Sequence, residues 1–302
     1  MAALLTPELL RRLEQFQLLA ARRAKSALKG ERRSRARGLS VEFADHRNYV
    51  AGDDLRYLDW NLLGRLDRLF LKLYEEEREL PVRIFLDASE SMNFGTPTKF
   101  DFARRLAAAA GYVALCGFDR VGVHVFPELA AGSGSVEEAR RAALRGVRGK
   151  RSAMTYFANL AGLSCGGAAD LNASLRRGAL EARAAGAAIV LSDFLDAAGY
   201  EPGLTALLGR GFQVTVVQIL APEELNPATF GDLRLVDAET GAVQEVTFGK
   251  YRLAAYQQAV ASYTQRLREF CTGRGMTFFS VGSASPLEDL LLKQLRAGGV
   301  WA

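Results

Sequence analysis

The 302-residue chain is 49% hydrophobic and 24% charged, the balance of a soluble globular protein long enough for one large domain or two ordinary ones. A core of that size needs no covalent staples, and Cys116, Cys165 and Cys271 are far apart with no CxxC pair, which excludes a disulfide framework and a structural zinc site. The net charge of +5 is uneven: residues 1–40 carry ten Lys/Arg against three Glu, a balance of +7, which leaves −2 for everything after them.

In chain order, Leu9, Leu10, Leu13, Phe16, Leu19 and Ala20 recur at helical spacing and predict an amphipathic helix over residues 7–28. Arg11 and Arg12 follow a weakly apolar start with no cleavage-like site, so no signal peptide is expected. Arg32, Arg33, Arg35 and Arg37 complete a basic leader over 1–40, read first as a solvated charged tail and second as a patch for nucleic acid, anionic lipid or an acidic protein. No aromatic platform accompanies the arginines, which makes nucleic acid the minority reading. Residues 41–80 form a short segment expected to pack on the main domain, which fills 81–302.

From residue 81 apolar strands alternate with helices. Strands are expected at Val82–Asp87, Arg120–Phe126, Ala187–Ser192, Gln213–Leu220 and Met276–Val281. Helices are expected at Lys99–Gly117, Val136–Val147, Leu171–Ala185, 202–209 and 251–272, with an inserted hairpin at 232–248 turning at Glu239-Thr240-Gly241. This order predicts an α/β fold, a doubly wound and mostly parallel sheet covered on both faces, with a smaller N-terminal region. The longest apolar run, Leu106–Phe118, is too short to span a bilayer, and the unpaired thiols suit a reducing compartment, so a cytoplasmic location is expected.

In such a sheet ligands bind outside the carboxyl ends of the strands. The strand PVRIFLD ends in Asp87-Ala88-Ser89-Glu90-Ser91, one carboxylate and two hydroxyls able to converge on a hard cation. A later strand ends in Ser192-Asp193, which adds a second carboxylate beside the first. DxSxS after a strand, with SD closing another, resembles the metal-ion-dependent adhesion site of von Willebrand factor A domains. Arg47-x-Tyr49-x-x-Gly52-Asp53-Asp54-x-Arg56-x-x-Asp59-Trp60, followed by LFLKLYEEERE, resembles the bacterial family called domain of unknown function 58, over about residues 38–195.

The resemblance implies a von Willebrand A-like domain whose Asp87, Ser89, Ser91 and Asp193 hold Mg²⁺ or Mn²⁺. It also implies a partner, a MoxR-type AAA+ ATPase, which the protein would serve as adaptor or effector. Family members supply a further ligand from a Gly-Gly-Thr-Asp-Leu turn; here the turn reads Gly166-Gly167-Ala168-Ala169-Asp170-Leu171, with no threonine and one residue inserted. The implied site is therefore degenerate and its metal weak or absent. Asp170 is assigned first to a helix cap and second to replacing the missing ligand. The polar cluster Arg47, Tyr49, Asp53, Asp54, Arg56, Asp59 and Trp60 is read as structural, with buried Arg–Asp pairs and Trp60 as an anchor.

Enzymatic signatures are missing. His46 and His124 stand in no HExxH or HxxxH arrangement, and neither a GxSxG elbow nor a Walker or GxGxxG loop occurs. Gly132-Ser133-Gly134 is a short polar loop, and Cys165 has no accompanying base. Three functions stay open: a non-enzymatic protein-interaction module, a metal-dependent hydrolase using Asp87 and Asp193, and a binder of anionic surfaces through residues 1–40.

Overall fold

The computed structural model describes residues 4–18, 41–76, 80–127, 146–227, 231–236 and 243–301. Arg32–Arg37, the loop at 132–134, most of the helix expected at 136–147 and the turn at 239–241 lie outside them. The chain divides into two compact units, residues 23–79 and residues 1–22 together with 80–302.

The first helix, α1 (Pro7–Leu13), opens with Pro7 in its first turn and with Thr6 accepting from the Leu9 amide. It buries Leu9 and Leu13 and stops there; residues 14–18 are not helical, and the expected stretch 19–28 lies outside the described residues. The correction has a tertiary cause. Glu14 accepts from the Tyr112 hydroxyl at 2.7 Å and pairs with Lys150 at 2.8 Å, and Leu18 forms an antiparallel bridge with Trp301. Those contacts outweigh the local helical pattern.

The smaller unit is a two-stranded antiparallel ribbon, β1 (Val41–Asn48) and β2 (Phe70–Glu76), with Arg47 opposite Leu71 and Asn48 opposite Phe70. A 3₁₀ turn at Leu55–Tyr57 and helix α2 (Trp60–Leu66) lie between the strands.

In the larger unit the elements run β3 (Pro81–Asp87), α3 (Lys99–Cys116), β4 (Arg120–Phe126), β5 (Val147–Arg148), α4 (Ala153–Ala161), α5 (Leu171–Leu180), β6 (Ala187–Ser192), α6 (Glu201–Gly209) and β7 (Gln213–Leu220). A hairpin of β8 (Gly231–Val236) and β9 (Val243–Phe248), the expected insertion, precedes α7 (Lys250–Thr272) and β10 (Thr277–Gly282). A helical run of three short turns, Leu287–Asp289, Leu290–Gln294 and Leu295–Ala297, follows. The six-stranded sheet has the order β10-β7-β6-β3-β4-β5, and every pair but β4–β5 is parallel. The doubly wound, mostly parallel sheet read from the sequence is therefore present. Of the helix expected at 136–147, the described end is not helical: Val147 belongs to the antiparallel edge strand β5.

Both faces of the sheet are covered. Along β3, Val82, Ile84 and Leu86 join a core with α1, α3, α4 and the last helical run, while Phe85 joins a second core with α5, α6 and α7. Gly111 is required where α3 meets α4: the Tyr156 ring, its hydroxyl donating to the Ala107 carbonyl at 2.7 Å, occupies the space a Cβ would take. From β3 the chain steps to β4 on one side and later returns to β6 on the other. The carboxyl ends of β3 and β6 thus flank the topological switch point, where such sheets open a crevice.

Candidate functional site

Asp87 ends β3 and is buried at this switch point. Its Oδ1 accepts from the Ser89 amide at 2.9 Å and its Oδ2 from the Ser192 hydroxyl, at the end of β6, at 2.6 Å. Ser89 and Ser91 share a hydrogen bond of 2.9 Å between their hydroxyls. The loop is pinned from the far side, Gly166 donating to the Ala88 carbonyl at 2.9 Å and Glu90 to the Gly167 carbonyl at 3.0 Å. Gly167 has φ 78°, which favours glycine at that turn. Burial, and then the nearby Asp193 carboxylate, push Asp87 up to about 6 despite the hydrogen bonds from Ser192 and Ser89.

Asp193 belongs to a different constellation from the one expected. Its Oδ2 accepts from Lys99 Nζ at 2.7 Å and its Oδ1 from the Leu195 amide at 3.1 Å. Lys99 is 1% exposed and also donates to Glu224 Oε1 at 2.5 Å, while Glu224 Oε2 accepts from the Ala221 amide at 2.7 Å. Burial opposes the ammonium, yet Asp193 and Glu224 together outweigh it and raise the Lys99 pKa above its usual value. Gln218, on β7, donates to the Asp193 carbonyl at 3.3 Å, and its own buried Oε1 has no hydrogen-bond partner among the described residues. Lys99, Glu224 and Gln218 escaped the sequence reading. The available signal was a lysine at the first position of an otherwise apolar helix face, against the helix dipole.

The residues assigned to Mg²⁺ or Mn²⁺ fit such an ion poorly. Asp87, Ser89 and Ser91 do come together, but both oxygens of Asp193 are engaged elsewhere. Asp170 caps α5 by accepting from the Ala173 amide at 2.7 Å, which is the first of its two assigned roles. Ala168 and Ala169 offer no side-chain oxygen. One carboxylate and two hydroxyls leave about half of a six-oxygen shell to water or to a partner and supply a single negative charge against two positive ones. Close by in sequence to Ser91, Asp193 and Glu224, the apolar side chains of Phe94, Leu195 and Leu225 are 48%, 51% and 38% exposed.

Elsewhere in the larger unit, His124 is partly buried with its ring 5.4 Å from that of Phe85, and burial lowers its pKa. Burial, then the Asp87 and Glu90 charges, push the Cys165 thiol up to about 12, the opposite of what a nucleophile needs.

In the smaller unit the polar residues do pair. Arg47 grips Asp53 through two hydrogen bonds of 2.7 and 2.8 Å, and Arg56 chelates its neighbour Asp54. Asp59 is buried, caps α2 through the Asn61 and Leu62 amides, and meets His46 Nε2 at 2.9 Å and Lys72 at 3.5 Å. The His46 hydrogen bond, with help from those amides and Lys72, lowers Asp59 to about 2. Two expectations are corrected here: Trp60 is 67% exposed instead of anchoring a core, and the Arg47 and Arg56 side chains lie at the surface. Their partners sit a few residues away, so these pairs form without burial. Tyr49 lies at the end of β1, its amide donating to the Leu69 carbonyl at 2.9 Å.

Over 91% of its length the chain is 26% identical to the uncharacterized protein Rv1480 of Mycobacterium tuberculosis, covering 85% of it, and equally to the uncharacterized protein Mb1516 of Mycobacterium bovis. Two solved structures, a conserved hypothetical protein BatB from Bacteroides thetaiotaomicron and an aerotolerance-related membrane protein from Bacteroides fragilis, superpose with TM-scores of 0.39 and 0.40 at 17% identity. They cover 72% of this chain and 98% and 99% of their own. Residues 45–266 match the model of the family described as "Protein of unknown function DUF58", more than half of the chain, and the protein belongs to that family.

Proposed function

We propose that the protein is a non-enzymatic protein-interaction module that docks its partner at the crevice between the carboxyl ends of β3 and β6. One observation carries this reading: a buried charged cluster, Asp87, Lys99, Asp193 and Glu224, lies in segments that also expose an apolar side chain close by in sequence, Phe94 after Ser91, Leu195 after Asp193 and Leu225 after Glu224. Exposed large apolar side chains are the anchors that recognition surfaces use, and fixed polar groups beside them supply specificity. The likeness of the Asp87 loop to von Willebrand A adhesion sites supports the same face. The family resemblance supplies the partner, a MoxR-type AAA+ ATPase for which the chain serves as adaptor. Three free cysteines support a reducing cytoplasm as its setting, and no described helix is long and apolar enough to cross a membrane. The hydrolase reading requires Asp193 as a metal ligand beside Asp87, and that carboxylate is paired with Lys99.

The test is titration calorimetry of the chain against a purified MoxR-type ATPase, repeated with Phe94, Leu195 and Leu225 all replaced by serine. Loss of binding with unchanged melting supports the crevice as the docking face. A triple variant that binds as tightly as the original moves the interface elsewhere.

A further inference from the structure

We infer that Lys99 is the resident cation of this crevice: its ammonium takes the charge-balancing place that a divalent ion would fill, so the free protein does not recruit Mg²⁺ or Mn²⁺. Three observations converge. The first is placement. Lys99 is the first residue of α3, where the helix dipole disfavours a positive charge, and its side chain is almost fully enclosed. A buried ammonium at such a position persists only with strong partners.

The second is geometry. Nζ lies 2.7 Å from Asp193 Oδ2 and 2.5 Å from Glu224 Oε1, so one cation gathers two carboxylates from different segments, the end of β6 and the turn after β7. A metal ion at a switch point does the same work, gathering oxygens from separate strand ends. The third is the remaining donor set. With Asp193 held by Lys99, and Ala168 and Ala169 in the turn facing the Asp87 loop, the chain offers a hard cation one carboxylate and two hydroxyls, a single negative charge against the ion's two. The lysine and the depleted shell are two sides of one arrangement.

The inference concerns the free chain, so its test is separate from partner binding and can fail without touching the interaction reading. Mn²⁺ uptake is read from the electron paramagnetic resonance signal of the free ion, and melting is compared in EDTA and in Mn²⁺. For the unmodified protein the expected result is no uptake and one melting temperature in both buffers. Lys99→Met releases Asp193 and Glu224, and Mn²⁺ should then bind at least about tenfold tighter than to the unmodified chain. That binding should disappear again when Asp87→Asn is added. The amide of Lys99→Gln still donates to Asp193 without the charge, and supplies the same comparison if the methionine variant does not fold. Uptake by the unmodified protein that Asp87→Asn abolishes overturns the inference. So does a folded, uncharged variant at position 99 that takes up no more Mn²⁺ than the original.

Discussion

Two sets of carboxylate–cation pairs occupy the two units of this protein, and they do opposite things. In the ribbon of β1 and β2, Arg47–Asp53 and Arg56–Asp54 join residues close in sequence and lie at the surface, where water and salt screen them. At the switch point of the large sheet, Lys99 joins Asp193 and Glu224 across sequence separations of 94 and 125 residues with almost no solvent access. Identical chemistry is a local ornament in one setting and a tertiary commitment in the other. Depth decides which, because removing one partner of a buried pair strands a desolvated charge.

The comparison breaks most visibly at Asp193. Asp193→Asn should destabilise the fold by about 4 kcal/mol in urea denaturation, because Lys99 keeps only Glu224. A loss as small as that of a surface pair would mean the cluster is effectively solvated. Next comes Asp87, where the sign reverses. Its folded pKa of about 6 stands above its ordinary 3.8, so its contribution to stability is complete below pH 3.8 and is lost as pH rises through 6. Asp87→Asn escapes that loss and should be more stable at pH 7 by about 2 kcal/mol, with the gain vanishing toward pH 4. Equal stability of the two proteins across that range would show that Asp87 is not desolvated. If the same variant loses its partner, stability and function are opposed at this residue.

Thr98→Ala sharpens the comparison from another direction. Its hydroxyl accepts from the Asp101 amide at 3.1 Å and caps the helix that carries Lys99, so about 1 kcal/mol should be lost. In the smaller unit Asp59 has the opposite pH sign to Asp87. Held at about 2, below its ordinary 3.8, it stabilises above pH 3.8 and ceases to as pH falls through 2. Acid should therefore free the amides of Asn61 and Leu62 to hydrogen exchange, and Asp59→Ala should do so at neutral pH. Smallest of all, Arg56→Ala should leave the urea midpoint unchanged at any salt concentration; a salt-dependent drop would place that pair in the tertiary class.

What was legible follows the same division. Strand β6 shows as a continuous apolar run because both its faces are buried, and β3, β4 and β7 as apolar runs interrupted at Arg83, His124 and Gln218. Helix α3 was placed to within a residue of its end because Phe102, Leu106, Ala109 and Val113 mark one covered face. Strands β1 and β2 were not read: Asp45, His46 and Arg47 break the pattern of one, and the short apolar stretch of the other, Phe70, Leu71, Leu73 and Tyr74, runs into the charges after it. At the site, the convergence of Asp87, Ser89 and Ser91 was local and readable, as was the cap at Asp170. The partners of Lys99 were not, since nothing near position 99 marks residues brought from beyond β6 and β7. Residues 7–28 misled for the complementary reason, their helical spacing running on past Leu13 where Glu14 and Leu18 are drawn to Tyr112 and Trp301.

That pairing of Leu18 with Trp301 has a consequence for how the molecule is made. Leu5, Leu9 and Leu13 leave the ribosome long before part of the core they enter, Leu291, Leu295 and Trp301, which is translated more than 270 residues later. Until then α1 can dock only on α3 and the part of the core already made, and the nascent protein should be a client for a holding chaperone through most of its synthesis. Ribosome-bound chains halted before residue 287 should be sensitive to protease within the first eighteen residues, and chains halted beyond residue 301, once extruded, should be protected.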